Sequence, residues 1–222
     1  MSGGTSPDFK SIAVFGVTGG TGMEVAKQAL QKGHSVVALV RSPDKLDETL
    51  KANENFKVIQ GSALDSKSVE ETVGGADAVV VSLGGRKDNP SVCSDGQKLI
   101  NQAVLKSPKK PRVVAVTSLG VGDSYPHLGF FTKCFVDWVI RKPIDDKNIQ
   151  EQLMKDELAD NVEWTVVRPG GLSNGAATGK WKTGFQLDGG MVSRADVAGF
   201  VVQKLLAKEC EFLSKTVGLV NG

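Results

Sequence analysis

The sequence predicts an α/β fold: a doubly wound parallel sheet, strand order 3-2-1-4-5-6 with room for a seventh strand, and helices on both faces. Three observations predict it. Short β-branched runs alternate with amphipathic helical stretches along the 222 residues, the pattern of right-handed crossovers feeding one parallel sheet. Gly16, Gly19 and Gly22, at three-residue spacing, fall between the first apolar run and the first helical stretch. The second run ends in a cation, Arg41, with no carboxylate before Asp44.

The elements follow in order. Residues 12–15 are the first strand, and Val25, Ala26, Ala29 and Leu30 share one face of a helix that Gly33 stops. Residues 36–40 are the second strand, and 44–52 a short helix carried by Leu46 and Leu50. Val58 and Ile59 mark the third strand, after which Asp65 or Ser66 caps a helix with Val69 and Val73 inward. Residues 76–83 (ADAVVVSL) are apolar on both faces, as a buried parallel strand should be. A helix over 95–106 and a strand over 113–116 follow, then a helix over 146–158 and a sixth strand over 163–167. Ser193 caps a helix with Val197, Ala198, Val201, Val202 and Leu205 inward, and 216–220 adds a last short strand. Residues 1–10 read as a flexible leader and 11–222 as one domain, with two irregular insertions. The insertion 121–144 holds Tyr125, Phe130, Phe131, Phe135 and Trp138; a substrate-side lid and a peripheral aromatic core are both open readings. The other, 173–190, is a glycine-rich excursion.

Composition excludes several functions. A net charge of +2 gives no electrostatic case for nucleic acid. Cys93, Cys134 and Cys210 are odd in number and widely spaced, which suggests free thiols in a reducing, cytoplasmic compartment. His34 and His127 stand too far apart to suggest a metal site, and no apolar stretch approaches membrane-spanning length. Neither nucleic acid nor a membrane is an expected partner, and the expected state is a monomer or weak homodimer.

The glycines explain themselves through phosphate chemistry. A diphosphate sits against the unpaired N–H groups at a helix start, where the dipole also attracts anions. In that reading Gly16 permits the turn, Gly19 the close approach of the ligand, and Gly22 the packing of helix on strand. Thr18 and Thr21 add hydroxyl donors. In such a Rossmann-type sheet the ligand lies over the carboxyl ends of the strands, at the switch between strands 1 and 4. The candidate cofactor-binding residues therefore cluster after each strand. They are Gly16 to Gly22 (Gly20 included), Arg41 and Ser42, then Ser62, Ala63 and Leu64, then Leu83, Gly84, Gly85 and Arg86, and finally Thr117 and Ser118. An acid at the end of strand 2 would favour NAD; Arg41 with Ser42 and nearby Lys45 suits a 2′-phosphate, so NADP(H) is the expected cofactor.

By these motifs the chain resembles the atypical short-chain dehydrogenase/reductases, in particular the small NAD(P)H-binding group that includes biliverdin-IXβ reductase/flavin reductase. The matching stretches are FGVTGGTG, VVALVRSPDKL, GADAVVVSLGGRKDN, VVAVTS, DDKNIQEQLMK and WTVVRPGGL with NGAATGKW after it. The resemblance implies NADP(H) binding and hydride transfer to a planar acceptor such as a flavin, bilin or quinone. It implies that Leu83, Gly84 and Arg86 line the nucleoside and substrate edge, that Ser118 sits beside the nicotinamide, and that Pro169, Gly170, Gly171 and Leu172 cover its carboxamide side. Lys147 falls where many relatives carry a lysine. Relatives often have an acid where this chain has Ser62, which leaves the adenine contact weaker or absent. The Tyr-x-x-x-Lys dyad is missing: the one tyrosine, Tyr125, has Gly129 four residues on.

Without that dyad, the usual alcohol–ketone chemistry is disfavoured, and hydride transfer by proximity to a conjugated acceptor remains. Ser118 and Lys147 are the candidate catalytic residues. Ser118 either orients substrate or bonds its own loop. Lys147 either enters the cleft or is a solvated cation, with Glu151 four residues on as a partner. A redox sensor that binds dinucleotide without turnover is the alternative, and a sugar-nucleotide epimerase or dehydratase a third, less favoured one.

Overall fold

The structure, a computed structural model, describes residues 9–85 and 88–222. The first unit is β1 (Ser11–Phe15), α1 (Gly20–Gln31) and β2 (Ser35–Val40), as the glycine and apolar pattern requires. A short α2 (Glu48–Lys51) leads to β3 (Phe56–Gln60), and α3 (Ser66–Val73) to β4 (Ala78–Val81). Then come α4 (Val92–Lys106), β5 (Arg112–Val116), α5 (Phe130–Val139), α6 (Arg141–Leu158) and β6 (Trp164–Pro169). The remainder is β7 (Gly171–Ser173), β8 (Trp181–Gly184), β9 (Met191–Ser193), α7 (Arg194–Phe200) and β10 (Lys215–Asn221).

The sheet order is β3-β2-β1-β4-β5-β6-β10-β8, the expected doubly wound order extended by two strands. All neighbours pair parallel except β8, which runs antiparallel to β10. Alternation along each strand divides the core. Ile12 and Val14 of β1 and Val80 of β4 face α1 and α7, where Val25, Ala26, Val197 and Ala198 are fully buried. Ala13 and Phe15 of β1 and Val81 of β4 face the other way, onto Val69 of α3, Ile100 of α4 and Met154 of α6. Each of the larger of these side chains contributes about 1.5–3 kcal/mol by leaving water.

Several elements differ from the expectation, each for a local reason. The helix expected over 44–52 is broken into a helical turn, Pro43–Lys45, and α2. Asp47 leaves the helical conformation to accept from the Thr49 amide at 2.9 Å and to pair with Lys27 at 2.5 Å. The α4 helix starts three residues before its expected position because Asp146 caps it from outside. The Asp146 carboxylate accepts from the amides of Cys93 and Ser94 at 2.9 and 3.0 Å. The last strand is longer than 216–220 and lies inside the sheet, between β6 and β8. The excursion 173–190 contributes β8 to that sheet, and its flanks, β7 and β9, pair as a second small sheet.

One turn of α6 joins the strand ends. Glu151, 2 % exposed, holds Arg168 of β6, also 2 % exposed, through Nε and Nη2 at 3.0 and 2.5 Å. The Thr117 hydroxyl donates to Glu151 Oε1 at 2.6 Å, and Arg168 Nη1 reaches Asp123 at 2.5 Å. Burial pushes the Asp123 carboxyl up, but the Arg168 hydrogen bond and charge outweigh it and hold it below the usual carboxylate range.

Removing one member of such a pair strands the other charge in the interior. Glu151→Ala should therefore lower unfolding stability by about 3–5 kcal/mol in urea titration, whereas Glu48→Ala, at the exposed Lys51 pair, should change it by less than about 1 kcal/mol.

Candidate cofactor and acceptor site

Gly16 and Gly22, around the β1–α1 turn, are glycines because backbone occupies the space a side chain would need there. A Cβ on Gly16 would lie 2.3 Å from the Ser82 carbonyl oxygen, and its φ of +90° disfavours any other residue. A Cβ on Gly22 would lie 2.3 Å from the Gly16 oxygen. Gly19 is more open, its nearest neighbour being the Gly16 oxygen at 3.3 Å. Gly19 is also the N-cap of α1, without a side-chain cap bond and with no acid in the first turn. The first amides of a 12-residue helix thus face the cleft without a capping side chain, which is the arrangement an anion completes. This donor set, with Gly16 and Gly19 leaving the approach open and the Thr18 side chain at the cleft border, fits the diphosphate of a dinucleotide.

Two clefts lie along the carboxyl ends of the strands. The narrower, about 260 Å³, sits at the β1–β4 switch and is bordered by Gly16, Thr18, Gly19 and Arg41. Ser62 and Ala63, after β3, and Leu83 and Gly84, after β4, complete it. The wider, about 730 Å³, lies beyond β5 and β6 and is bordered by Ser118, Gly170, Gly171 and Leu172. Phe131 and Phe135 of α5 stand over it, with Met191 and Arg194 opposite the loop after β5. The insertion 121–144 is thus partly helical and supplies one wall of this cleft. On the cleft side Phe131 stays 86 % exposed, Trp138, outside the cleft lining, is 88 % exposed, and Val136 alone of α5 is buried.

Other candidates stand next to the clefts or behind them. Gly20, Thr21 and Gly22 open α1, with Thr21 and Gly22 buried and their backbone, not their side chains, available. Ser42 follows Arg41 at the head of a helical turn, Leu64 is partly exposed with its amide on the Ser62 hydroxyl at 3.2 Å, and Gly85 packs near Pro143. Pro169 is buried in β6, its carbonyl accepting from the Leu119 amide at 2.9 Å. Arg86 lies outside the described residues.

Two candidates, Thr117 and Lys147, take roles other than the expected ones, and Ser118 takes one of its two. Thr117 does not face a cleft; it is buried and its hydroxyl is committed to Glu151. Lys147 is neither a solvated cation nor a partner of Glu151. Its ammonium donates to the carbonyls of Leu83 at 3.2 Å and Val116 at 3.1 Å, tying the carboxyl end of β5 to the segment after β4. Burial lowers its pKa. Lys147 therefore acts as a positioning residue. Ser118 borders the wide cleft with its hydroxyl on the Leu119 carbonyl at 2.9 Å, which is the loop-bonded arrangement. Beneath the clefts, burial pushes the Cys93 thiol up to about 12, so it remains protonated.

Two residues outside the sequence candidates matter here. Asp196, 1 % exposed, accepts from the Thr178 and Gly179 amides, the Ser193 hydroxyl and the Trp181 indole, and so pins the excursion 173–190 to α7. Arg194 lies across Gly20, where an added Cβ would meet its Cδ at 2.6 Å. A cation directly after the Ser193 cap was the available signal for it.

The chain belongs to the NAD(P)H-binding family, whose model matches residues 16–208. Among its relatives is Reductase pytE of Aspergillus terreus, 26 % identical over 93 % of this chain and 96 % of that protein. A solved structure of ChuY, an anaerobilin reductase from Escherichia coli O157:H7, superposes with a TM-score of 0.79 at 25 % identity. It covers 95 % of this chain and 97 % of that one. A wide-type short-chain dehydrogenase/reductase from Veillonella parvula, in complex with NADP, shares the fold with a TM-score of 0.82 at 18 % identity. That match covers 96 % of this chain and 95 % of the other. Among the described residues no helix is long and apolar enough to cross a membrane.

Two outcomes test the site. Gly16→Ala should displace the Ser82 carbonyl and weaken dinucleotide binding at least about tenfold in fluorescence titration, as loss of hydrogen bonds to charged phosphate would. Burial pushes the Asp196 carboxyl up, yet its many donors hold it below the usual range. It binds protons more weakly folded than unfolded, so its stabilisation is present above about pH 4 and lost as pH falls further. Asp196→Asn should flatten that acid dependence in urea midpoints measured from neutral to acid pH.

Proposed function

We propose that the protein is an NADPH-dependent oxidoreductase that delivers a hydride to a planar conjugated acceptor such as a flavin, quinone or bilin. One observation carries the reading: a side-chain-poor phosphate cleft with Arg41 at its rim lies beside an aromatic-walled cleft on the same edge of the sheet.

The α1 amides bind the diphosphate, with the Thr18 hydroxyl beside them. Arg41 and Ser42 hold the 2′-phosphate by charge-assisted hydrogen bonds. Bound there, NADPH supplies a hydride from its nicotinamide ring. Phe131, Phe135 and Met191 stack the acceptor and exclude water, while Ser118, Gly170 and Gly171 hold the facing carboxamide. Alignment then supplies most of the acceleration. A tyrosine acid takes no part. The Tyr125 hydroxyl donates to Asp137 at 2.7 Å, and this bond raises its pKa. A conjugated acceptor delocalises the arriving charge, so solvent can deliver the proton. The reductase names among the relatives, an anaerobilin reductase included, support this acceptor class.

The test is loss of reduced-nicotinamide absorbance with FMN, a quinone panel and biliverdin as acceptors. Turnover with at least one is expected. Tight NADPH binding with no acceptor reduced would defeat the reductase reading in favour of a sensor. Arg41→Met should weaken NADPH about 10- to 100-fold and leave NADH within about twofold.

A further inference from the structure

We propose that Arg194 is a second phosphate-binding arginine, which clamps the cofactor diphosphate against the start of α1. The proposal rests on the dinucleotide reading above and adds a residue, from the far end of the chain, to its phosphate site.

Position is the first ground. Arg194 opens α7, and its side chain runs over Gly20, the first residue of α1. A Cβ there would lie 2.6 Å from Arg194 Cδ and 2.9 Å from Nε. The backbone that carries it is held firmly. Gln28 of α1 donates to the Ala195 carbonyl at 2.9 Å, and Ser193 accepts from the Asp196 amide at 2.9 Å. Arg194 also borders the wide cleft. It therefore stands where the two halves of a dinucleotide meet.

Charge is the second ground. Among the described residues, Arg112, Arg141 and Arg168 each pair with a carboxylate. Arg194 pairs with none; its partner is the neutral Asn174 side chain, at 2.7 Å. Its guanidinium lies beside the amino end of a 12-residue helix whose first turn holds no acid. That end carries about half a positive charge, so two like-signed groups lie side by side, and among the described residues no carboxylate of the first turn or of an Arg194 ion pair offsets them. A diphosphate relieves that repulsion and accepts from both. Among the described residues Arg41 has no carboxylate partner either, and it borders the narrow cleft. The two arginines would then divide the work, Arg41 on the 2′-phosphate and Arg194 on the diphosphate.

Fluorescence titration of the full chain tests this with NADPH, NADH and adenosine 2′-monophosphate, which lacks the diphosphate. Arg194→Met should weaken NADPH and NADH alike, about 10- to 100-fold, and leave adenosine 2′-monophosphate within about twofold. Arg194→Lys should recover part of the loss, Asn174→Ala should bind as wild type, and the melting temperatures should match. Equal binding of both dinucleotides by Arg194→Met and wild type overturns the proposal alone. A loss that extends equally to adenosine 2′-monophosphate, or follows a lowered melting temperature, also overturns it. A wild-type chain that binds neither dinucleotide defeats the parent reading as well.

Discussion

The site depends on how closely β1 and the segment after β4 approach each other. At Gly16 the backbone of one lies against the Ser82 carbonyl of the other, and at Gly22 the helix lies against the Gly16 carbonyl. No side chain fits either contact. This double approach swings α1 so that its uncapped amides face the β1–β4 switch, where the strand order reverses and a crevice must open. The chemistry of the cradle is thus a by-product of packing: the residues absent there matter more than those present.

A second constraint comes from the stretch of α6 between Asp146 and Glu151. Asp146 caps α4, Lys147 ties the segments after β4 and β5, and Glu151 holds Arg168 and Thr117. Three strand ends and a helix start are thereby referenced to a single rigid element. Charged groups this deeply buried are costly unless fully paired. Here the expense is offset by near-complete satisfaction, and the result is a defined floor for both clefts.

Much of this was legible in the sequence, because parallel strands buried on both faces read as β-branched runs, and phosphate loops read as glycines in a fixed place. Strand order, the roles of Gly16 and Gly22, and the caps at Asp65 and Ser193 all follow from local chemistry. The roles of Thr117 and Lys147 did not. Their partners, Glu151 for one and the Leu83 and Val116 carbonyls for the other, lie 31 to 64 residues away, and local pattern carries no information about such pairings. The excursion 173–190 was opaque for the same reason. Its order comes from Asp196, a side chain beyond its end, and from pairing of β8 with β10.

The position of β10 has a consequence for how the chain reaches this shape. Strands β3 to β6 can zip together as each leaves the ribosome, but β10 inserts between β6 and β8 after some fifty further residues have been made. Until then β6 is a bare edge with unpaired amides and carbonyls, open to mispairing with another nascent chain. The most vulnerable interval for this fold therefore falls between the emergence of β6 and that of β10, when the cofactor cradle is already built but β6 is still unpaired on its far side.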